Sequence, residues 1–245
     1  MTKRDLKAVL LAGGYGTRLK PLTDSIPKCL VIINERPLID FWIEKLNAAG
    51  VKEALINTHY LPIPVRNYIR SVNLQGKINL VESYEEILLG SAGTVSNNAD
   101  FADDCDQVLL IYTDNLSDID LNDLLDFHLS HDEPITMLLF HAENPATCGI
   151  ATLDESDLVE QFIEKPENPE SDLANGGIYI IDSNTYREIA QLNAFDFGFD
   201  VLPHYVGKMK GFILNGYHRD IGTLESLDQA HQDISDGVFK NTLSI

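Results

Sequence analysis

The stretch that decides the fold reads Ala8-Val9-Leu10-Leu11-Ala12-Gly13-Gly14-Tyr15-Gly16-Thr17-Arg18-Leu19. Its apolar start has the composition of a buried strand, and the glycines after it let backbone N–H groups turn inward and approach phosphates closely. Arg18 adds a forked donor for phosphate oxygens, and Lys28, ten residues later, adds a point charge. A strand that opens into such a loop indicates a site for a polyanion, most simply the phosphates of a nucleotide.

The glycines alone do not identify the loop. It lacks the Gly-Lys-Ser/Thr ending of the ATPase phosphate loop, and Leu19 stands where the dinucleotide fingerprint has its third glycine. The alternative interpretation is a tight strand-to-helix turn with two exposed basic side chains.

Charge and length limit the possible ligands. The 245 residues carry a net charge of −20, which disfavours nucleic acid and anionic membranes as partners. Residues 1–30 hold six basic and two acidic side chains, whereas the rest holds twelve and thirty-six. A basic pocket in an acidic protein fits a small phosphorylated ligand. The length suits one large α/β domain, alone or with a small appendage.

We expect a cytoplasmic protein without a membrane partner. No apolar run approaches the roughly 18 residues of a membrane span, and Met1–Asp5 leads into a strand without an apolar signal region. The widely spaced Cys29, Cys105 and Cys148 are expected as buried thiols rather than disulfides or zinc ligands.

Strand-like and helix-like segments alternate over the first two thirds of the chain, which predicts a layered α/β fold with a mainly parallel sheet. Trp42 is interpreted as part of the core of the first helix. The predicted strands are Lys7–Ala12, Leu30–Ile33, Glu53–Asn57, Ile78–Val81, Val108–Tyr112 and Ile135–Phe140. The predicted helices among them are Leu38–Ala49, Pro64–Val72 and Asp120–Ser130.

After Phe140 the pattern changes. An antiparallel hairpin is predicted from Ile150–Leu153 and Leu158–Ile163, followed by a buried strand over Gly176–Ile181. Helices are expected near Ser183–Leu192 and over Thr223–Asp236, with a short strand-like segment at Phe212–Leu214 between them. We predict one continuous domain over residues 1–245, whose second part covers the carboxyl edge of the sheet, where open α/β sheets bind ligands.

The loop, together with Pro21-Leu22 and Pro27-Lys28, resembles the signature of the sugar-1-phosphate nucleotidyltransferases. That family includes mannose-1-phosphate guanylyltransferases and glucose-1-phosphate thymidylyl- and uridylyltransferases. Further pieces follow in the family's order, from residue 8 to about 230. They are Gly90-Ser91-Ala92-Gly93-Thr94 (base turn), Phe162-Ile163-Glu164-Lys165-Pro166 (sugar-phosphate strand), Asn175-Gly176-Gly177-Ile178-Tyr179 (sugar strand) and Asp220-Ile221-Gly222-Thr223 (closing motif).

The resemblance implies a fold and a reaction. The fold is a three-layer Rossmann-like one with a mainly parallel, mixed central sheet and a small antiparallel β extension over the sugar site. Residues 1 to about 140 form the nucleotide-binding half, and about 141 to 245 form the sugar-binding half with closing helices. The family joins a nucleoside triphosphate to a sugar 1-phosphate and releases pyrophosphate. A homo-oligomer is possible, and the apolar pair Val238-Phe239 suits either a partner subunit or its own domain.

The resemblance also implies catalytic and metal-binding residues. Arg18, Lys28 and Asp114 are the implied catalytic residues, and Asp114 and Asp220 the implied Mg²⁺ ligands. The position of Asp114 directly after an apolar run places its carboxylate at the end of a strand. Carboxylates suit Mg²⁺, which usually takes one or two of them with phosphates and waters. The alternative is that both are surface acids.

The two substrates are expected to contact different residues. Because Pro166 biases Lys165 toward an extended conformation, that lysine is expected to project from the strand end toward the sugar's phosphate. The nucleotide-binding set is Leu11, Ala12, Gly13, Gly14, Gly16, Thr17, Arg18, Lys28, Glu85, Gly90, Ala92 and Gly93. The sugar-phosphate set is Gly149, Glu164, Lys165 and Asn175.

The substrates themselves are less clearly indicated. A glutamate within Glu82–Glu86, taken as Glu85, suits the N1–H and N2–H₂ donors of guanine and favours GTP. The leading hypothesis is a guanylyltransferase for mannose or manno-heptose 1-phosphate, in nucleotide-sugar and polysaccharide biosynthesis. One alternative is a glucose-1-phosphate uridylyl-, thymidylyl- or cytidylyltransferase, and another is a non-catalytic regulatory protein that binds nucleotide sugars.

The chain departs from the family pattern at three places. Thr113-Asp114-Asn115 stands where Gly-Asp is usual, Cys29 follows Lys28 in place of proline, and Cys148-Gly149 replaces Tyr-Gly. Each change spares the charged group, so these departures weaken the sugar assignment rather than the reaction.

Overall fold

A computed structural model describes residues 5–240. Within that range, thirteen strands and six α-helices alternate along the chain. The strands are β1 Leu6–Leu11, β2 Ile32–Ile33, β3 Arg36–Pro37, β4 Glu53–Thr58, β5 Asn79–Tyr84, β6 Gln107–Tyr112, β7 Asn115–Ser117, β8 Ile135–His141, β9 Gly149–Leu153, β10 Val159–Glu164, β11 Leu173–Asp182, β12 Met209–Ile213 and β13 His218–Asp220. The helices are α1 Leu38–Ala48, α2 Pro62–Gln75, α3 Gly90–Asn97, α4 Leu121–His128, α5 Ser183–Ala190 and α6 Leu224–Ser235.

The described chain forms two compact units, each made of discontinuous segments. The loop unit comprises Leu6–Leu88, Ile111–Leu121 and the part from Gly216 onward. The hairpin unit comprises Leu89–Leu110 and Asn122–Asn215, together with Asp5. One continuous domain over residues 1–245, divided near residue 140, stays a prediction, and residues 1–4 and 241–245 lie outside the described part.

The loop unit is built on parallel strands. β1, β4 and β5 are neighbours in that order, with Ala8 paired to Ala54 and Ala54 paired to Leu80. The central residues of β1 and β4 are buried, as expected for strands covered on both faces, whereas residues of β5, at the end of this row, alternate between buried and exposed. The register brings the carboxyl ends of the three strands to one edge, which positions the glycine-rich loop after β1.

The hairpin unit is mixed. β9 and β10 form the predicted antiparallel hairpin, and β11 pairs antiparallel with both β9 and β8. β12 runs parallel to β8. The predicted α/β class, with a mainly parallel, mixed central sheet and small antiparallel sheets, is confirmed.

The predicted strand Leu30–Ile33 is confirmed only at Ile32–Ile33 and is wrong at Leu30–Val31. Lys28–Leu30 is a 3₁₀ turn, and only Ile32–Ile33 is extended, pairing with Arg36–Pro37. The N–H groups of Leu30 and Val31 bond back to the carbonyls of Pro27 and Lys28, at 2.8 and 3.1 Å, so the strand starts only at Ile32. It ends at Ile33 in a tight hairpin, in which Asn34 and Glu35 have left-handed φ angles of 48° and 69°.

Helix α3 and a π-helical turn were not predicted. The base turn is the first part of α3, whose glycines and serines are weak helix formers, and Phe197–Val201 forms one π-helical turn. Asp196 caps that turn by accepting a hydrogen bond from the N–H of Phe199 at 2.9 Å. Because such turns lack a 3.6-residue apolar period, sequence patterns do not reveal them.

The core of the loop unit supports the segment that carries Asp114. Trp42 is buried in α1, as predicted, and its indole Nε1–H donates to the carbonyl of Asn115 at 2.9 Å. Phe239 is buried against the rings of Phe41 and Tyr217, so it covers its own unit.

Burial raises the pKa of the Cys29 thiol to about 12, while Cys105 and Cys148 are half-buried. No helix within residues 5–240 has the length and apolarity needed to cross a bilayer.

Candidate active site

The glycine-rich loop leaves the carboxyl end of β1 and is anchored where it begins. The carbonyl of Leu11 accepts hydrogen bonds from the Thr113 N–H at 3.2 Å and from the Thr113 hydroxyl at 2.8 Å. The hydroxyl of Thr113, at a position where the family usually has glycine, therefore ties the loop to the residue beside Asp114.

The middle of the loop is closed by Gly16 and Thr23. The Thr23 hydroxyl donates to the Gly16 carbonyl at 2.7 Å, and Gly16 has a left-handed φ of 63°. A Cβ atom at Gly16 would lie 2.9 Å from Thr23 Cγ2, so only glycine fits. Gly14, Thr17 and Arg18 are exposed on this loop, as a phosphate-binding surface requires.

Ala12 and Gly13 are held by a side chain that the sequence analysis missed. Both N–H groups donate to Asn57 Oδ1, at 2.6 and 3.0 Å. The Asn57 amide in turn donates to Glu85, which is only 2% exposed. A polar residue at the end of a predicted strand is a weak signal, but it is the one that could have identified Asn57.

A short antiparallel pair brings Asp114 and Asp220 together. Asp220 ends β13 and pairs with Asn115, the residue after Asp114. The N–H of Ile221 donates to the carbonyl of Asp114 at 2.8 Å, which extends the pairing by one step. Two segments that are far apart in sequence therefore place their carboxylates side by side, where both contact Lys28.

Lys28 joins the two carboxylates. Its Nζ lies 2.7 Å from Asp114 Oδ2 and 3.4 Å from Asp220 Oδ1, and its side chain is 12% exposed. Arg18 Nη2 lies 3.5 Å from Asp220 Oδ2. Burial and the charge of Asp114 raise the pKa of Asp220 against the opposing effect of Lys28 and Arg18. The predicted catalytic and metal residues thus form one cluster in the loop unit, with two positive and two negative charges.

This donor set fits Mg²⁺. Two carboxylates within contact of one ammonium nitrogen provide hard oxygen ligands, and substrate phosphates and waters usually complete the shell. Within residues 5–240, no group of three or more histidine, cysteine or acidic side chains is arranged to hold a metal ion. Two carboxylates leave the other positions of the shell to phosphate oxygens and waters, which suits a cation shared with a phosphorylated ligand.

The hairpin unit aligns three of the four predicted sugar-site residues. Glu164 pairs with Gly149, and Ala174 pairs with Ile150, so Asn175 lies beside Gly149 in the next strand. Gly149 carries no side chain, and the Glu164 carboxylate and the Phe162 ring occupy the space beside it. Asn175 Oδ1 accepts from the N–H of Gly177 at 3.0 Å, which keeps the bulge in β11 closed.

Lys165 differs from its predicted conformation. Its φ of 51° is left-handed rather than extended, although its N–H still continues the strand ladder to the Cys148 carbonyl at 3.0 Å. The chain turns at this residue, directly after β10 ends at Glu164. The ammonium group is exposed, 3.8 Å from Glu164 Oε1 and 5.7 Å from the centre of the Phe199 ring. It remains able to contact an anion.

The surroundings of Glu164 disfavour the charged form of its carboxyl group, which raises its pKa. Burial raises its pKa above the ordinary 4.5, the charge of Asp196 adds to this, and Lys165 opposes it. Between the ordinary and the raised pKa, the folded chain therefore binds the proton more strongly than the unfolded chain. Stability falls as the pH rises through that window, so ionised Glu164 costs stability at neutral pH.

We therefore expect Glu164→Gln to raise the melting temperature at pH 7.5, by about 2–4 °C for each kcal/mol gained. The gain should shrink at pH 4.5, where the wild-type carboxyl holds more of its proton. Scanning calorimetry at both pH values measures this difference. Glu160→Gln, at an exposed position of the same strand, is the matched control. An unchanged or lower melting temperature of Glu164→Gln at pH 7.5 would contradict the raised pKa of Glu164.

The remaining predicted nucleotide residues lie in the hairpin unit. Gly90, Ala92 and Gly93 form the first turn of α3, and the N–H of Ala92 donates to the Phe195 carbonyl at 3.0 Å. Gly90 has a φ of 79°, and a Cβ atom there would collide with the same carbonyl. This turn is therefore fixed by Phe195, and a base contact there stays a prediction.

Comparison with known proteins identifies the family. The profile of the nucleotidyl transferase family matches residues 7–237. The chain belongs to this family. A mannose-1-phosphate guanylyltransferase of Mycobacterium tuberculosis is 31% identical over 97% of this chain and 67% of its own length. A glucose-1-phosphate adenylyltransferase of Mycoplasma mobile is 30% identical, over 96% of this chain and 68% of its own.

This nucleotidyl transferase spans only part of its relatives. It covers 61% of a rice protein described as a probable mannose-1-phosphate guanylyltransferase, at 32% identity over 89% of the chain. A Bacillus anthracis protein named for glucose-1-phosphate thymidylyl transfer, solved with sucrose, superposes with a TM-score of 0.84 at 24% identity. That likeness covers 97% of this chain and 98% of the other, and it shows a shared fold.

Proposed function

We propose that this chain joins a nucleoside triphosphate to a sugar 1-phosphate and releases pyrophosphate. The observation that carries the proposal is Lys28, which contacts Asp114 and Asp220 together beside an exposed glycine-rich loop. A protein that only binds nucleotide sugars has little use for this combination of cations and paired carboxylates. Family membership supports the same reaction class.

The reaction is an in-line displacement. An oxygen of the sugar's phosphate attacks the α-phosphorus, a new P–O bond forms, and the bond to the β-phosphate oxygen breaks with its electron pair going to pyrophosphate. Catalysis then depends on bringing two anions together and on offsetting charge at the α-phosphate. In the proposed assignment, Lys28 neutralises the α-phosphate and Arg18 holds the departing pyrophosphate.

A divalent cation completes the proposed site. Asp114 and Asp220 would hold Mg²⁺, which supplies charge neutralisation of the triphosphate when bound. The support is the proximity of their carboxylates and the raised pKa of Asp220, whose charged form a cation would stabilise.

In the hairpin unit, the sugar 1-phosphate is assigned to the residues at the ends of β9, β10 and β11. Lys165 is proposed to bind its phosphate, and Glu164 and Asn175 its hydroxyls, with Gly149 leaving room for the Glu164 carboxylate. The exposed ammonium of Lys165 and the largely buried carboxylate of Glu164 support this division of roles.

For the substrates, we propose GTP with mannose 1-phosphate or a manno-heptose 1-phosphate. The support is the name of the mycobacterial relative. Glu85, the glutamate predicted to contact guanine, is 2% exposed and already accepts a hydrogen bond from the Asn57 amide, so it adds no support for GTP. A relative at a similar identity is named for adenylyl transfer, so the base of the triphosphate is the first feature to measure. Because both substrates are soluble phosphorylated metabolites, the expected compartment is the cytoplasm.

Pyrophosphate release across a grid of substrates tests the proposal. GTP, ATP, UTP, CTP and dTTP are each combined with mannose, manno-heptose and glucose 1-phosphates, with Mg²⁺ and then with chelator. We expect the highest rate with GTP and a manno-configured sugar, and none with chelator. A higher rate with glucose 1-phosphate and a pyrimidine triphosphate would replace the substrate assignment. If no combination releases pyrophosphate, the proposed reaction is refuted, and a protein that only binds nucleotide sugars is the remaining hypothesis.

A further inference from the structure

The first turn of the glycine-rich loop is held by a single side chain. Asn57 lies at the carboxyl end of β4 and is 4% exposed. Its Oδ1 accepts the N–H groups of both Ala12 and Gly13, at 2.6 and 3.0 Å. A Cβ atom at Gly13 would lie 2.8 Å from Asn57 Nδ2, so the loop and the amide are in close contact.

Glu85 sets the orientation of that amide. Asn57 Nδ2 donates to Glu85 Oε1 at 2.9 Å, and a flipped amide would turn its oxygen toward the carboxylate and its NH₂ toward two N–H donors. Glu85 is itself fixed, because it is 2% exposed and its N–H donates to the Thr58 carbonyl at 2.8 Å. The carboxylate therefore determines which face of Asn57 the loop meets.

A second chain of hydrogen bonds connects the backbone of Glu85 to Tyr15 in the middle of the loop. The Glu85 carbonyl accepts from His59 Nδ1 at 2.9 Å, which leaves His59 Nε2 to accept from the Tyr15 hydroxyl at 2.9 Å. The Tyr15 and His59 rings pack edge to face, with centroids 5.2 Å apart. One residue thus supports the loop at two places, through its side chain and through its backbone.

This support divides the loop into two parts. The N–H groups of Ala12 and Gly13 are already bonded to Asn57, whereas those of Gly14, Gly16 and Thr17 have no partner among residues 5–240. Gly14 faces open space, since a Cβ atom there would meet nothing within 4 Å. The later N–H groups are the ones left for phosphate oxygens.

We propose that Asn57, oriented by Glu85, is a positioning residue for the triphosphate. Asn57 accepts hydrogen bonds from the N–H groups of Ala12 and Gly13 and so fixes the backbone path of the loop. The N–H groups later in the loop then face the phosphates before the ligand binds. This inference rests on the proposed function. It concerns residues outside the cluster of Lys28, Asp114 and Asp220, and Asn57 acts through the loop rather than on the reacting atoms.

A swap of donor and acceptor tests the proposal. Asn57→Asp keeps an acceptor for the loop but loses the donor to Glu85 and sets two carboxylates against each other. We expect the KM for the triphosphate to rise about tenfold, the size of one lost charged hydrogen bond. Glu85→Gln keeps an acceptor for Asn57. The double variant Asn57→Asp with Glu85→Gln restores the contact with reversed polarity, so its KM should return to within about threefold of Glu85→Gln.

Two comparisons separate positioning from stability. The KM for the sugar phosphate should change less than about twofold in all three variants. Asn73→Asp is the matched control, because Asn73 also bonds backbone in the loop unit, at Leu80, away from the loop. It should lower the melting temperature without moving either KM. A wild-type KM in Asn57→Asp, or a double variant as impaired as Asn57→Asp, would overturn the proposal.

Amide hydrogen exchange separates this inference from the proposed function. In ¹⁵N-labelled protein without substrate, the Ala12 and Gly13 amides should exchange at least about tenfold faster in Asn57→Ala than in wild type. Equal exchange would overturn the role of Asn57, whatever reaction the protein performs. A wild type that releases no pyrophosphate would instead refute the proposed function, and the exchange rates would still decide whether Asn57 fixes the loop.

Discussion

Replacing Asp114 by asparagine is expected to reduce pyrophosphate release at least about 100-fold while leaving the fold intact. The substitution keeps the shape of the side chain but removes the negative charge that faces Lys28 at 2.7 Å and is assigned to Mg²⁺. Removing one group that stabilises charge in a transition state costs about 10²–10³ in rate. The backbone contact of Asp114 with Ile221 is retained, so the pairing of β7 and β13 should persist.

The assay for Asp114→Asn is the initial rate at saturating substrates over a series of Mg²⁺ concentrations, with circular dichroism as the check on folding. Asp123→Asn changes an exposed aspartate of α4 and should behave as wild type. If Asp114→Asn turns over at the wild-type rate with the wild-type metal dependence, the proposed metal site is misplaced.

Replacing Lys28 by methionine is expected to lower kcat by about 10²–10³. Its ammonium is largely buried and is the group that contacts both carboxylates, so methionine leaves Asp114 and Asp220 without that cation. The loss should fall on kcat more than on either KM, because the charge at the α-phosphorus develops in the transition state. Steady-state kinetics with each substrate varied in turn measures this difference.

Two variants control for damage to the fold in Lys28→Met. Lys28→Arg keeps the charge but replaces a point charge by a planar fork, so it should stay folded and still lose at least about tenfold in kcat. Lys20→Met removes an exposed lysine, paired with Asp24 at 3.1 Å, and should keep full activity. Near-wild-type kcat in Lys28→Met would remove Lys28 from the proposed chemistry.

Much of the fold was predictable because its strands carry their signal locally. The apolar runs of β1, β4, β6 and β8 are short and bounded by polar residues, and each was found at nearly its predicted position. Leu30–Ile33 has the same composition, but only Ile32–Ile33 forms a strand. The strand ends at the hairpin turn in which Asn34 and Glu35 have left-handed φ angles. Neither residue is a glycine, which would have indicated such a turn.

The candidate site divides in the same way. Charged residues in motifs, such as Lys28 and Asp220, could be named from the sequence because their chemistry is local to the motif. Asn57 could not, because its importance lies in the register of β4 beside β1 and in its contact with Glu85. The conformation of Lys165 was mispredicted for a related reason, since the chain turns directly after β10 ends at Glu164, and the left-handed φ of 51° overrides the local bias from Pro166.

The most direct test of the central claim follows the α-phosphate. Wild-type protein is incubated with Mg²⁺, a sugar 1-phosphate, and the preferred triphosphate labelled with ³²P at either the α or the γ position. The account predicts α-label in a nucleoside diphosphate sugar and γ-label in pyrophosphate, both only when the sugar phosphate is present. Release of γ-label as inorganic phosphate, or label transfer that does not depend on the sugar phosphate, would contradict attack at the α-phosphorus.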